Sequence, residues 1–340
     1  MAADIAEQPD VYRRLLAPDS AAEIARVAAA IGERRPRHVV FTARGTSDHA
    51  ALYGTYLTEI RLGLPAGLAS PSAITVFGAR PNLADALVVG VSQSGGSPDL
   101  TKVLEVAKDT GALTLAITNN PGSPLDRAAE LRIDVRAGHE RAVAATKTYT
   151  AELLALLMLV EGVRGDDPAH RRTLEALPDL AAQALEDATA ATLAPRYRFA
   201  ARVITTGRGY AYATAREAGL KLMETSYLPA LAFSGADLLH GPLAMADPDV
   251  PVLAVVGAGP GGHAMREVVT RLGERRADVV TVGPEDVPGA TARLPVPRVD
   301  ERYAPLLDIL PLQQLALALA RARGEDPDAP RGLNKVTATL

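Results

Sequence analysis

Sliding the 340-residue sequence along itself by 164 positions lays Val39-Val40-Phe41-Thr42-Ala43-Arg44-Gly45 on Val203-Ile204-Thr205-Thr206-Gly207-Arg208-Gly209. The same shift lays Val88-Val89-Gly90-Val91 on Val252-Leu253-Ala254-Val255, and Leu113 to Ile117 meets Val279 to Val282 with about one residue of slippage. Helical stretches follow the first two runs, from Asp48 to about Leu62 and from Asp99 to Asp109. Strands alternating with helices predict a parallel α/β sheet, and the repeat predicts two of them. The length agrees, since 340 residues exceed the roughly 100–200 of one ordinary domain. The expected architecture is two tandem doubly wound α/β domains at 36–165 and 198–325. A helical lead-in occupies 1–35, a linker with prolines at 168, 178 and 195 occupies 166–197, and a tail occupies 326–340.

Composition narrows the chemistry. Cysteine is absent, which removes disulfides, Cys-ligated zinc, iron–sulfur clusters and thiol nucleophiles. The six histidines form no metal-binding spacing, so neither a metal nor a cofactor is expected. A formal charge of -4 gives no positive field for a nucleic-acid backbone. No apolar run is long enough to span a membrane, and Asp4, Glu7 and Asp10 stand where a secretory signal would be basic and then apolar, so the expectation is a cytoplasmic protein. Only five residues are lysines: Lys102, Lys108, Lys147, Lys221 and Lys335. Where chemistry needs an amine, arginine cannot substitute.

Three turns gather small hydrogen-bond donors, and each is expected at a strand end: Gly45-Thr46-Ser47, Ser92-Gln93-Ser94-Gly95-Gly96-Ser97, and Ala144-Ala145-Thr146-Lys147-Thr148. Such hydroxyls at helix N-termini can hold a phosphate, although they also serve as ordinary caps. The second copy has the bland Val256-Gly257-Ala258-Gly259 in place of the serine turn, which places the ligand on copy one. Gly257-Ala258-Gly259-Pro260-Gly261-Gly262 fits the spacing of a dinucleotide fingerprint, but Glu285 and Asp286 come late for the ribose contact, so these glycines are expected only to make a turn. Glu224 and His240 offer a carboxylate and an imidazole, and Lys335 an amine five residues from the end. Spacing alone leaves each open between catalyst and ordinary surface residue.

Taken together, the motifs resemble the sugar isomerase (SIS) domain family, in particular the isomerase half of glucosamine-6-phosphate synthases. The likeness rests on Arg44-Gly45-Thr46-Ser47, Ser92-Gln93-Ser94-Gly95, Ala145-Thr146-Lys147, Leu239-His240-Gly241-Pro242 and the segment from Leu333 to Thr337. It implies sugar-phosphate binding by Gly45, Thr46, Ser47, Ser92, Gln93, Ser94, Ser97, Ala145 and Thr146. It further implies that Glu224 transfers a proton, that His240 opens the sugar ring, and that Lys335 forms a Schiff base with the open-chain ketose on a tail that closes the site. His240 would act in the neighbouring subunit's site, which implies a homodimer.

Departures from the synthases are Gly96 for a Glu, Ser97 for a Thr, Ala145 for a Ser and Asn334 for an Ala. The synthases carry a cysteine nucleophile in an N-terminal glutaminase domain, whereas this chain begins Met1-Ala2-Ala3 and has no cysteine, so glutamine hydrolysis is not expected of it. The resemblance therefore points to the isomerase-type glucosamine-6-phosphate deaminases, which form fructose 6-phosphate and ammonia. The alternatives are a fructosamine-6-phosphate deglycase of the same family and a non-catalytic sugar-phosphate sensor.

Overall fold

The computed structural model describes residues 1–165 and 167–333, arranged as two compact units. One unit comprises Asp10–Glu140 and Lys147–Leu177; the other comprises Met1–Pro9, Arg141–Thr146 and Pro178–Leu333. Each is built on a five-stranded parallel sheet. In the first, β1 (His38–Thr42), β2 (Ala66–Leu68), β3 (Ala86–Ser92), β4 (Leu113–Thr118) and β5 (Leu131–Asp134) lie in the order 2-1-3-4-5. In the second, β6 (Val203–Gly207), β7 (Ala230–Ser234), β8 (Pro251–Val255), β9 (Asp278–Gly283) and β10 (Ala292–Pro295) lie in the order 7-6-8-9-10. These are the same topology, strand for strand, as duplication predicts. The three strands per copy expected from sequence are the central ones, and the structure adds an edge strand on either side of them.

The central strands are Val/Ile/Leu-rich because helices cover both their faces. Every residue of β3, β4, β6 and β8 is buried. One face of the first sheet packs Val88 and Ala116 against Leu100, Val103 and Leu104 of the helix Pro98–Asp109. In the second unit, Val252 and Val279 pack against Met265, Val268 and Leu272 of the helix Pro260–Glu274. The lead-in consists of the helices Ala2–Ala6, Gln8–Leu16 and Pro18–Arg34, and the linker contains Pro168–Glu186 and Thr189–Leu193. The first of these helices belongs to the second unit, where buried Asp4 accepts from the N–H groups of Arg141 and Ala142 at 3.2 and 3.0 Å. Among the described residues, no helix is long and apolar enough to cross a membrane.

The C-terminal helix Pro305–Ala322 packs along the helix Tyr210–Ser226 of the second unit. Asp308, in its first turn, is buried, and neither carboxyl oxygen has a hydrogen-bond partner among the described residues. Burial, reinforced by the nearby charge of Glu301, holds the Asp308 carboxyl well above the usual carboxylate range. The folded protein thus keeps a proton that the unfolded chain releases, so this group's contribution to stability is lost as pH rises beyond the ordinary aspartate pKa. The isosteric Asp308→Asn removes that dependence. Thermal unfolding should show a higher Tm for Asp308→Asn than for wild type at pH 8 and no difference at pH 4.

Candidate active site

In sheets of this order, ligands bind where the chain turns in opposite directions from neighbouring strands. That point lies between β1 and β3, where the turns Gly45-Thr46-Ser47 and Gln93 to Ser97 begin the helices Gly45–Leu57 and Pro98–Asp109. The N-cap residues of these helices, Arg44 and Ser97, make no side-chain capping bond. Ser97 is therefore not acting as the ordinary cap its position allows. Ser123 by contrast does cap, accepting from the Asp126 N–H.

Within the serine turn, Ser92 Oγ accepts from Gly95 N–H at 3.1 Å and Ser94 Oγ accepts from Gly96 N–H at 3.2 Å. Each hydroxyl is oriented by an amide and keeps its own proton to donate. The turn is braced from behind: Asn119 N–H donates to Gln93 O, Asn120 Nδ2 to Ser94 O, and Leu125 N–H to Gly95 O. Gly95 has φ of +59°, and a Cβ there would lie 2.0 Å from Ser123 Oγ, so only glycine fits. Ser47 is buried and donates to Glu152 Oε1 at 2.8 Å, so its proton already has an acceptor.

The third turn corrects an expectation. It does not sit at a strand end, because residues 135–146 after β5 are irregular and the chain then enters the helix Lys147–Arg164. The first amides of that helix are already filled: Glu140 accepts from the N–H groups of Lys147 and Thr148 at 2.9 and 3.3 Å. Gln93 Nε2 also donates to Glu140, at 3.3 Å. Ala145 and Thr146 are buried and belong to the second unit, where Gln313 Nε2 donates to Thr146 O at 3.3 Å.

The corresponding place in the second unit carries its own anion. The Glu301 carboxylate accepts from Gly261 N–H at 3.0 Å and Gly262 N–H at 2.6 Å, at the start of the helix Pro260–Glu274. A Cβ on Gly257 or Gly259 would approach Glu301 within 3.0 or 2.7 Å. The glycines of the apparent fingerprint therefore enclose a carboxylate where a pyrophosphate would have to lie. Nothing in the sequence marks Glu301, which stands 39 residues beyond Gly262.

Glu224 lies in the last turns of the helix Tyr210–Ser226, and its side chain is 23% exposed. Buried Lys221, one turn earlier, contacts Glu224 Oε2 at 2.5 Å and Glu217 Oε1 at 3.3 Å. Burial opposes the charge on Lys221, but the two carboxylates outweigh it and raise the pKa above the ordinary lysine value. The sequence pointed to Lys221 only through the scarcity of lysine. His240 is exposed and ends the short helix Gly235–Leu239, its N–H donating to Asp237 O at 3.1 Å. Lys335 lies outside the described residues. Arg331, four positions before it, stacks 4.1 Å from the ring centroid of Tyr227 and donates its N–H to Tyr227 Oη at 2.6 Å. The chain entering the tail is thus fixed three residues past Glu224.

Gly95→Ala forces a side chain into left-handed backbone and onto Ser123, at a cost of about 1–3 kcal/mol. Its Tm should fall, and its affinity for inorganic phosphate should fall with it in calorimetry. Unchanged values for both would show that the turn shifts without strain.

Comparison with known proteins bears on the family and the fold. The SIS domain model matches residues 34–162 and 197–282. The glutamine–fructose-6-phosphate aminotransferase (isomerizing) of Gloeobacter violaceus is 38% identical over 311 residues, covering 87% of this chain and 51% of that protein. The chain therefore spans about half the length of the curated relatives it matches. A Silicibacter pomeroyi structure described as a candidate phosphosugar isomerase superposes with a TM-score of 0.86 at 36% identity, covering 96% of this chain and 98% of that one. The C-terminal domain of glucosamine-fructose-6-phosphate aminotransferase from Francisella tularensis gives 0.85 at 25% identity, with 97% of each chain covered. With matches in both halves of a duplicated α/β chain, this protein belongs to the SIS domain family.

Proposed function

We propose that the protein is a phosphosugar isomerase that converts glucosamine 6-phosphate into fructose 6-phosphate and ammonia. The observation that carries this reading is the pairing of a partly exposed carboxylate, Glu224, with the buried ammonium of Lys221. A base held in this way cannot swing away from its task, and Lys221 stays protonated as a fixed counter-charge. The uncapped helix starts and oriented serine hydroxyls of the first copy support phosphate as the anchoring group.

In this mechanism His240 assists opening of the pyranose to the aldehyde. Glu224 then removes the proton from C2, giving a 1,2-enolamine, and returns it to C1. The product carries an imine at C2, which water hydrolyses to the ketone with release of ammonia. The proton moves between adjacent carbons, so the chemistry calls for neither a redox cofactor nor a metal. Lys335 forms a Schiff base with the ketose by loss of water; Arg331, four positions before it in sequence, is held against Tyr227 beside the end of the helix that carries Glu224. The functional unit in this reading is a homodimer with His240 acting in the neighbouring subunit's site, a role consistent with its exposure.

Ammonia release from glucosamine 6-phosphate, followed by coupling to glutamate dehydrogenase, tests the proposal. Glu224→Gln should lower turnover by about 10²–10⁴-fold while leaving phosphate affinity nearly intact. Full activity in that variant would remove Glu224 from the mechanism. No ammonia, with amine released from a phosphorylated fructosamine instead, would reassign the protein as a deglycase; binding with neither reaction would make it a sensor. For Lys335, borohydride reduction in the presence of fructose 6-phosphate should trap an adduct that peptide mapping places on Lys335 and that is absent from Lys335→Arg. An adduct elsewhere would contradict the assignment.

A further inference from the structure

The serine turn and the β1 turn hold one arginine and no lysine, so almost all of their donors are neutral. The exception is Arg44. It occupies the N-cap position of the helix Gly45–Leu57, and its Nε donates at 2.9 Å to Oδ2 of Asp99, in the first turn of the helix Pro98–Asp109. The pair therefore bridges the turns after β1 and β3, across the mouth of the crevice where the strand order reverses.

The two partners are solvated very differently. The Asp99 side chain is fully buried, and its other oxygen, Oδ1, accepts from the Leu100 N–H at 2.9 Å. Arg44 is 48% exposed. Its Nη1 and Nη2 groups have no partner among the described residues, and they carry four of the five guanidinium N–H donors. An ion pair whose only purpose was to join the two turns would be expected to engage the fork with both carboxylate oxygens, the stronger geometry. Here Asp99 takes Nε alone, which fixes the plane of the guanidinium and leaves its end free. A lysine could not do both, having a single point charge with no second edge.

We propose that Arg44 is a substrate-binding residue whose Nη groups donate to the phosphate of a sugar phosphate held by the turn from Ser92 to Ser97. The inference rests on the proposed function, in which this turn takes a phosphate ester. Because Asp99 balances the charge of Arg44, the contribution is directional, through charge-assisted hydrogen bonds, more than a long-range field. It gives the site a means of distinguishing phosphorylated from free hexoses that the serines lack, since a hydroxyl can also serve a neutral sugar.

Calorimetry with glucosamine 6-phosphate and glucose 6-phosphate tests this independently of the reaction. Two variants are informative. Arg44→Lys keeps the ion pair but removes the fork, and the double variant Arg44→Gln with Asp99→Asn replaces the pair by neutral amides that can still bond across the crevice. The double variant should bind both sugar phosphates about 10- to 100-fold more weakly, the scale of one or two charge-assisted bonds. Arg44→Lys should fall between it and wild type. Where ammonia release is measurable, the loss should sit in KM more than in kcat. Wild-type affinity in both variants would overturn the proposal and leave Arg44 as a latch between two turns. If wild-type protein bound neither sugar phosphate, the phosphate reading of the cradle would fall, and this inference with it.

Discussion

Backbone N–H groups at the start of a helix need an acceptor, and this duplicated fold meets that need in two different ways. The second half satisfies its helix start from within, by wrapping glycines around the Glu301 carboxylate. The first half leaves the helices Gly45–Leu57 and Pro98–Asp109 without side-chain caps and lines the same point with serines whose protons remain to be donated. One topology has thus been divided into a closed copy and an open copy. The positive end of a helix favours an anion; in the first copy Asp99 accepts one such amide, that of Leu100, whereas in the second Glu301 accepts two, those of Gly261 and Gly262.

On the helix Tyr210–Ser226, three charged side chains one turn apart, Glu217, Lys221 and Glu224, come together. Lys221 is held between Glu217 and Glu224, and a buried ammonium so placed keeps its proton. Removing either carboxylate would leave a buried charge partly uncompensated, so the cluster gives Glu224 a fixed position as well as a partner. The contact of Arg331 with Tyr227 ties the approach to the C-terminal tail to the end of the same helix. A carboxylate fixed in this manner is suited to moving a proton back and forth between two carbons, because it returns to one place after each transfer.

Much of this was legible in the sequence because duplication and burial both leave patterns. Strands covered on two faces must be continuous apolar runs, so β1, β3, β4 and their counterparts stood out, and the shift of 164 paired them. The edge strands β2, β5, β7 and β10 were not visible, being three to five residues long and partly exposed. The run Ala144 to Thr148 suggested a third phosphate turn through its small residues and hydroxyls. Its helix amides proved to be occupied by Glu140, a contact local in sequence but without a distinguishing motif. Glu301 was beyond reach for a different reason: a single glutamate in a polar segment becomes informative only when the fold returns it to Gly261 and Gly262. Glu224 and His240 took their meaning from family resemblance, and Lys221 took its own from the structure.

The asymmetry between the two anion cradles is the claim on which the account depends, and amide hydrogen exchange with and without glucosamine 6-phosphate measures it residue by residue. The account predicts new protection at the amides of residues 45–47 and 93–97 and no change at 257–262, where Glu301 already holds Gly261 and Gly262. Protection at 257–262, or none at 93–97 under conditions where the ligand is bound, would contradict it.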